Sequence, residues 1–268
     1  MHATPRPREN APVRMLLPPS ESKRDGTLPG PVHLERLAAP ELTQLRERAL
    51  HTLAQRSARP TPAVREAIGV TARQDEELAR NARVLHAPVA PAHAVYDGVL
   101  FDSIGFDERT TAQRRRIVER TLVQSALFGV VGYGDHIPAY RCSASSTLPH
   151  LGRMASFWRA RIGSAMEALL ADHLVLDMRS SAYAALWTPV GDIAQHTVIV
   201  RVMQVHGGRR VAVSHLNKAT KGRLVRAFGS TTRDPTTADE VAAMADGAGY
   251  DVELISTRAP QVLEVLVT

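Results

Sequence analysis

His196–Phe228 reads HTVIVRVMQVHGGRRVAVSHLNKATKGRLVRAF, and its periodicity changes in the middle. His196–Val205 and Arg210–His215 are β-branched runs on either side of Gly207-Gly208, the pattern of an antiparallel hairpin. Asn217–Phe228 then repeats at helical spacing. At 100° per residue, Leu224 and Phe228 fall within about 20° of Asn217, and Val225 at about 80°, so these set a buried face. Lys221 falls at about 40°, inside that face, and Lys218 at about 100°, on its margin. Both lysines are therefore expected to point toward the body of the protein, with Gly222 leaving room beside Lys218. Arg223 and Arg226, at about 240° and 180°, point outward.

The same reading extends along the chain. Val13–Leu17 is a short apolar run closed by Pro18-Pro19, an interior strand entering a loop. Pro40–Arg56 and Thr71–Val84 have helical spacing. Leu42, Leu45, Ala49 and Leu53 share one face of the first, and Thr71 is the N-cap of the second. Ile68-Gly69-Val70 connects this region tightly, as a helical hairpin turning on a glycine. Asp107–Gln124 is expected as a helix with a basic strip of Arg109, Arg114, Arg115, Arg116 and Arg120. Ser125–Val131 either extends that helix or forms a buried strand, and Gly132–Asp135 is a loop. Met154–Ala171 is expected as one helix and Leu174–Asp177 as a short strand. A helix capped by Ser180 or Ser181 follows. Asp239–Ala245 adds a helix, and Val252–Thr257 pairs with Val262–Val267. The fold class expected is α+β: one compact domain over residues 13–268, with a mixed or antiparallel sheet and surrounding helices. Residues 1–12 are expected to be a disordered extension.

Composition narrows the function. The chain has 268 residues, 44% hydrophobic, with 17 Gly, 17 Pro and one Cys, which excludes disordered, collagen-like and disulfide-stapled classes. The formal charge is +6, yet only three of the 33 basic residues are lysines: Lys23, Lys218 and Lys221. From Arg201 to Arg233 there are eight basic residues and no acid, and from Asp234 to Thr268 seven acids and one Arg. Such asymmetry invites an anionic partner; the alternative is a solvated Arg-rich surface in a chain that uses little Lys. Aromatics at 4% supply little stacking on single strands, which favours a duplex backbone or a small anion. No leader is read at the start and no apolar run spans a bilayer, so no membrane role is expected. The unpaired Cys142 fits a reducing cytoplasm, and a monomer is the expected state.

Three segments carry candidate chemistry. Ser20, Glu21, Ser22, Lys23 and Arg24 follow the first strand and can bind or orient a polar ligand, or form an ordinary polar loop. At Asp177–Tyr183 a strand ends on an acid and turns into a helix. Arg179 and Ser180 suit an anion and Asp177 a hydroxyl, amine or cation; the alternative is an Asp–Arg pair with a capping Ser. His215, Asn217, Lys218, Lys221 and Arg223 form the third. An inward ammonium needs a carboxylate or ligand, or loses its proton and serves as base or nucleophile; the alternative is snorkelling to water. Tyr140, Arg141 and Cys142 lie together, and Cys142 reads as a reactive thiolate or, more commonly, an inert packing residue. The eleven His show no ligand spacing, so no metal site and no cofactor are expected. There is no Walker A, and the glycines 129, 132 and 134 have the wrong spacing for a dinucleotide fingerprint.

Five stretches in order carry a family resemblance: LPPSESKRDG (Leu17–Gly26), YDGVLFDSI (Tyr96–Ile104), SALFGVVGYGDHIPAYRCSAS (Ser125–Ser145), LVLDMRSSAYAALW (Leu174–Trp187) and SHLNKATKGRLVRAF (Ser214–Phe228). The chain resembles the YaaA-type peroxide stress response proteins, in their actinobacterial form, from about Met15 to the end. The resemblance implies a single α+β domain with a positively charged cleft, and a helix-hairpin-helix at about Arg65–Leu85. It also implies cytoplasmic protection against hydrogen peroxide, lowered free iron and binding to double-stranded DNA. No catalytic mechanism comes with it. Gly132-Tyr133 stands where a basic residue is expected, Cys142 where an aliphatic one is, and Asp97 where a hydroxyl is, departures that suit a paralogue recruited to a biosynthetic pathway.

Two functions follow. One is a DNA-binding stress protein using backbone amides around Gly69, with Arg73 and the strip Arg114, Arg115 and Arg116 adding charge. The other is an enzyme acting on an anionic or amino-containing metabolite, with Lys23, Lys218 or Lys221 as clamp, base or Schiff-base nucleophile and Asp177 orienting.

Overall fold

The computed structural model describes residues 11–206, 209–212, 215–255 and 258–267. Strand β1 (Arg14–Leu17) lies at the centre because its apolar run is buried on both faces, as parallel strands covered by helices require. Helices α1 (Thr43–Ser57), α2 (Pro62–Ile68) and α3 (Asp75–Ala82) follow. Gly69 ends α2 with φ +79°, and a capping box between Thr71 and Gln74 opens the next turn. Arg65 forks onto Asp75 at 2.7 and 2.6 Å and ties the two helices across the glycine.

Strand β2 (Val89–Pro91) leads into two short helices, α4 (Ala92–Val95) and α5 (Val99–Ile104). Here the structure departs from the expected long helix over Asp107–Gln124. Helix α6 (Thr111–Arg120) stops at Arg120, and Thr121–Ser125 is strand β3, buried throughout and paired parallel to β1. Buried pairing overrides a run whose spacing alone is compatible with a helix. The Arg120 guanidinium fixes the transition by donating to the carbonyls of Phe228 and Thr231 and to Asp234 at 2.7–2.9 Å. A turn beyond Ser125 gives strand β4 (Gly129–Gly132), which resolves the open reading of Ser125–Val131 as a buried hairpin.

Strands β5 (His136–Pro138), β6 (Thr147–Leu148) and β7 (Gly152–Arg153) form two small sheets with β2 and with each other. The expected helix Met154–Ala171 is two, α7 (Met154–Arg159) and α8 (Gly163–Leu170). The break falls just before Gly163, the weakest helix former in the run. Strand β8 (Val175–Asp177) enters the turn to α9 (Ser181–Ala184), where Ser180 occupies the N-cap without a side-chain cap bond. Helix α10 (Gly191–Gln195), strands β9 (Thr197–His206) and β10 (Arg209–Ala212) and helix α11 (His215–Ser230) realise the expected hairpin and helix. Helix α12 (Ala238–Gly247) and the antiparallel pair β11 (Asp251–Ile255) and β12 (Gln261–Val267) complete the chain.

The main sheet runs β11-β12-β9-β8-β1-β3-β4, with β10 on β9. Strands β12, β9, β8, β1 and β3 are mutually parallel, and β4, β10 and β11 join antiparallel. Mixed sheet and helices make one α+β domain. Part of its charge asymmetry is met internally: Arg210 of the basic stretch pairs with Glu264 at 2.7 Å and with Glu253, and Arg233 with Glu240 at 2.9 Å.

Helix α11 lies close against α5. A Cβ at Gly222 would sit 2.1 Å from the Leu100 carbonyl oxygen and 2.7 Å from the Ser103 Cβ, so the glycine admits α5 rather than clearing space for Lys218. Gly222→Ala is expected to lower stability by about 1–3 kcal/mol through overpacking. Gly163→Ala, with nothing within 4 Å, should not. Urea unfolding of both variants checks the contrast, and equal midpoints would remove the packing argument.

Candidate functional site

The chain leaves β1 to pair with β3 on one flank and returns to place β8 on the other. The carboxyl ends of β1 and β8 thus flank a point where the winding direction reverses, the usual place for a binding crevice in a parallel sheet. A cleft of about 800 Å³ opens there. Pro18–Ser22 after β1, Asp97-Gly98 before α5, Arg141 and Ser143–Ser145 after β5, and Ser180 and Tyr183 after β8 line it. Of the residues singled out from sequence, Ser20, Glu21, Ser22, Arg141, Ser180, Tyr183, Lys218 and Gly69 meet at this cleft. Arg24 lies outside the lining, bridging Asp97 and Asp102 at 3.2 and 3.4 Å. Asn217 and Arg223 are not in the lining either, and Arg223 is exposed, as its helical angle requires. The side chain of His215 lies outside the described residues.

Lys23 sits beneath the Ser20–Ser22 loop, buried. Its ammonium donates to the carbonyl of Ser20 at 2.8 Å and of Glu21 at 3.5 Å, and lies 4.2 Å from the centre of the Tyr140 ring and 5.5 Å from that of Tyr96. The Tyr140 hydroxyl in turn shares hydrogen bonds with those of Ser125 and Tyr96 at 2.7 and 3.0 Å. Burial, reinforced by the Arg141 guanidinium, lowers the Lys23 pKa from 10.5 to about 7. Cys142 is buried beside this group, and burial pushes its thiol up to about 12, so it is the inert packing residue rather than a thiolate.

The second buried group is Asp177–Arg179. The guanidinium forks onto Asp177 at 2.9 and 2.6 Å, and donates to the Trp187 carbonyl at 2.8 Å and to Gln124. This pair is the ion-paired alternative for the segment, and it occupies Asp177 fully. The Lys221 ammonium is 3.4 Å from the Arg179 carbonyl, and burial lowers its pKa to about 8, partly opposed by Asp177. Lys221 therefore faces inward as expected. Lys218 does not: it is exposed, on the cleft's edge.

The residues assigned to duplex binding separate. Gly69 is exposed on the cleft and Arg73 is exposed nearby in sequence. In the strip on α6, Arg116 donates to the Ser230 carbonyl at 2.9 Å, Arg115 faces Glu119 at 3.7 Å, and Arg114 is half-buried. None of the three lines the cleft. Two lining residues that sequence reasoning missed, Arg153 and Arg159, are exposed and make no ion pair with a described residue. Their signal was weak: both flank an apolar run that reads as core. Among the described residues no group of three His, Cys, Asp or Glu could hold a metal ion, and no helix is long and apolar enough to cross a membrane.

The Lys23 pKa carries a stability consequence. The folded value of about 7 lies below the unfolded value of 10.5, so between them unfolding takes up a proton and stability rises with pH. Relative to Lys23→Met, which has no such proton, the wild type should gain about 2 kcal/mol between about pH 7.5 and 9. Urea unfolding of both proteins across that window tests this, and parallel curves would show that Lys23 stays charged.

The family comparisons meet this geometry from the other side. The sequence model of the family described as peroxide stress protein YaaA matches residues 13–254. A UPF0246 protein of Streptomyces coelicolor is 40% identical over 239 residues, 89% of this chain and 91% of the relative. One from Corynebacterium efficiens is 40% identical over 243 residues, covering 90% and 94%. An uncharacterized Campylobacter jejuni protein is 24% identical over 215 residues, covering 80% and 83%. The match spans the loop after β1, the turn after β8 and the start of α11, the segments that build the cleft, and on that extent the chain belongs to the peroxide stress protein YaaA family.

Proposed function

We propose that this peroxide stress family member binds the phosphate backbone of double-stranded DNA along the cationic cleft and so limits iron- and peroxide-driven damage. The observation that carries the reading is the set Arg153, Arg159 and Lys218, three cations on one cleft with no acidic partner among the described residues, beside the exposed glycine turn at Gly69. Backbone amides of that turn and the neighbouring Arg73 can add sequence-independent phosphate contacts, the role of a helix-hairpin-helix. The α6 strip contributes less, because Arg115 and Arg116 are engaged within the protein and Arg114 is half-buried. Protein cations that neutralise phosphates release the counterions condensed there. Iron held on the backbone would be among them, which links duplex binding to protection without a metal site. Filter binding against salt tests the reading: three phosphate contacts give a slope of log K on log[salt] of about −2.7. Arg153→Ala/Arg159→Ala should flatten it by about 1.8, and no duplex binding in dilute buffer would end the proposal.

A second reading, a small-molecule enzyme, rests on a separate observation: Lys23 and Lys221 are buried beside the cleft with pKa values of about 7 and 8. Near pH 7 about half of Lys23 and about a tenth of Lys221 is then the neutral amine, the form that can act as base or Schiff-base nucleophile on a carbonyl metabolite. Cyanoborohydride trapping with pools of carbonyl metabolites should then give a stable adduct by mass spectrometry, lost in Lys221→Ala or Lys23→Met. An unmodified wild-type mass would remove this reading.

A further inference from the structure

The cleft is too small to enclose a duplex, whose backbone can only lie across its rim, and it has the size of a single nucleotide. Its volume of about 800 Å³ falls in the range of small-ligand pockets, roughly 300–1,000 Å³. A B-form duplex, whose major groove alone is about 12 Å wide, can only lie across such an opening. The cleft also sits between the carboxyl ends of β1 and β8, where the parallel sheet reverses its winding, a position that concentrates small phosphorylated ligands in open α/β sheets.

Its charges are disposed for one compact anion. The two carboxylates at the cleft are engaged: Glu21 faces Arg141 at 3.2 Å, and Asp97 faces Arg24 and accepts from the Gly98 amide. The cations Arg153, Arg159 and Lys218 are left with no described acid to offset them. The Arg141 Nε is buried and finds no acceptor among the described residues. The lining also includes Val99, Phe101 and the half-buried Tyr183, which supply apolar surface.

We propose that this cleft seats one phosphorylated nucleotide unit, its phosphates on Arg153, Arg159 and Lys218 and its base toward the apolar surface of Phe101 and Tyr183. The inference rests on the reading of the cleft as a phosphate site and sharpens what enters it. A free nucleotide and an unpaired nucleotide of a DNA strand present the same chemistry.

Fluorescence anisotropy separates the two sources. The probes are mant-dATP and two short fluorescein-labelled duplexes, one intact and one with a single bulged nucleotide. The proteins are the wild type and Arg153→Ala/Arg159→Ala, whose exposed side chains can be removed without opening the core, with melting temperatures compared. Saturable one-to-one binding of mant-dATP, weakened at least about tenfold in the double variant, identifies a free nucleotide. A preference of about tenfold or more for the bulged duplex, again lost in the variant, identifies a strand-borne one. If intact and bulged duplexes bind equally and mant-dATP does not bind, the inference is overturned and duplex binding stands. If mant-dATP binds as described and neither duplex does, duplex binding falls and the nucleotide site stands. Mant-dATP binding that the double variant leaves unchanged, with no preference for the bulge, also overturns it.

Discussion

The buried fork between Arg179 and Asp177 holds the site in place. Two charges removed from water carry a desolvation penalty of several kcal/mol each, which their attraction offsets only when the remaining donors are also satisfied. Here they are. The guanidinium reaches Asp177 twice, the Trp187 carbonyl and Gln124 of β3, and lies over the Trp187 ring at 5.3 Å. Asp177 also accepts from the Arg179 amide at 3.0 Å, which fixes the turn by which the chain leaves β8. One ion pair therefore joins the ends of β8 and β3 across the end of β1, and presents the Arg179 carbonyl to Lys221 of α11. Loosening that pair would leave a buried charge alone, which opposes movement of the turn that carries Ser180 and Tyr183 to the cleft.

Several of the chain's arginines are spent inside the fold. Arg46 is enclosed by the carbonyls of Leu34, Ala38, Phe128 and Val130, and Arg120 by two carbonyls and Asp234. Arg210 and Arg233 neutralise acids of the C-terminal segment. These arginines are structural fasteners, and a planar five-donor fork that never loses its charge suits that work. With these engaged, the cleft edge still carries Arg153, Arg159 and Lys218 without counter-charges among the described residues, so an incoming anion meets unpaired cations there.

Local order was legible from residue pattern, and long-range pairing was not. The hairpin of β9 and β10, the helix after it, the pair β11–β12 and the inward face carrying Lys221 all follow from alternation or helical spacing within a short window. Strand β3 did not, since Thr121–Ser125 is buried on both faces and shows no alternation. The parallel alignment of β12 with β9 joins Gln261 to Val198, a separation no local pattern encodes. At the site, the loop after β1, the turn after β8 and α11 could each be picked out by chemistry. Arg153 and Arg159 could not, because only the break between α7 and α8 and the folding of β6–β7 bring their element to the cleft.

The three lysines gain their meaning from the contrast with the buried arginines. Wherever this chain buries an arginine, it surrounds the guanidinium with several acceptors. Lys23 has two backbone carbonyls and two aromatic faces, and Lys221 one carbonyl at 3.4 Å, with no carboxylate in hydrogen-bond contact with either. An arginine in either place would stay charged and under-satisfied at a cost of several kcal/mol, whereas a lysine relieves that cost by releasing its proton. The buried cations thus divide by chemistry: permanent charge on Arg46, Arg120 and Arg179, where several acceptors are fixed, and removable charge on Lys23 and Lys221, beneath and beside the cleft. An anion bound there would favour the charged form of the amines below it, so occupancy of the cleft and protonation of its floor are coupled.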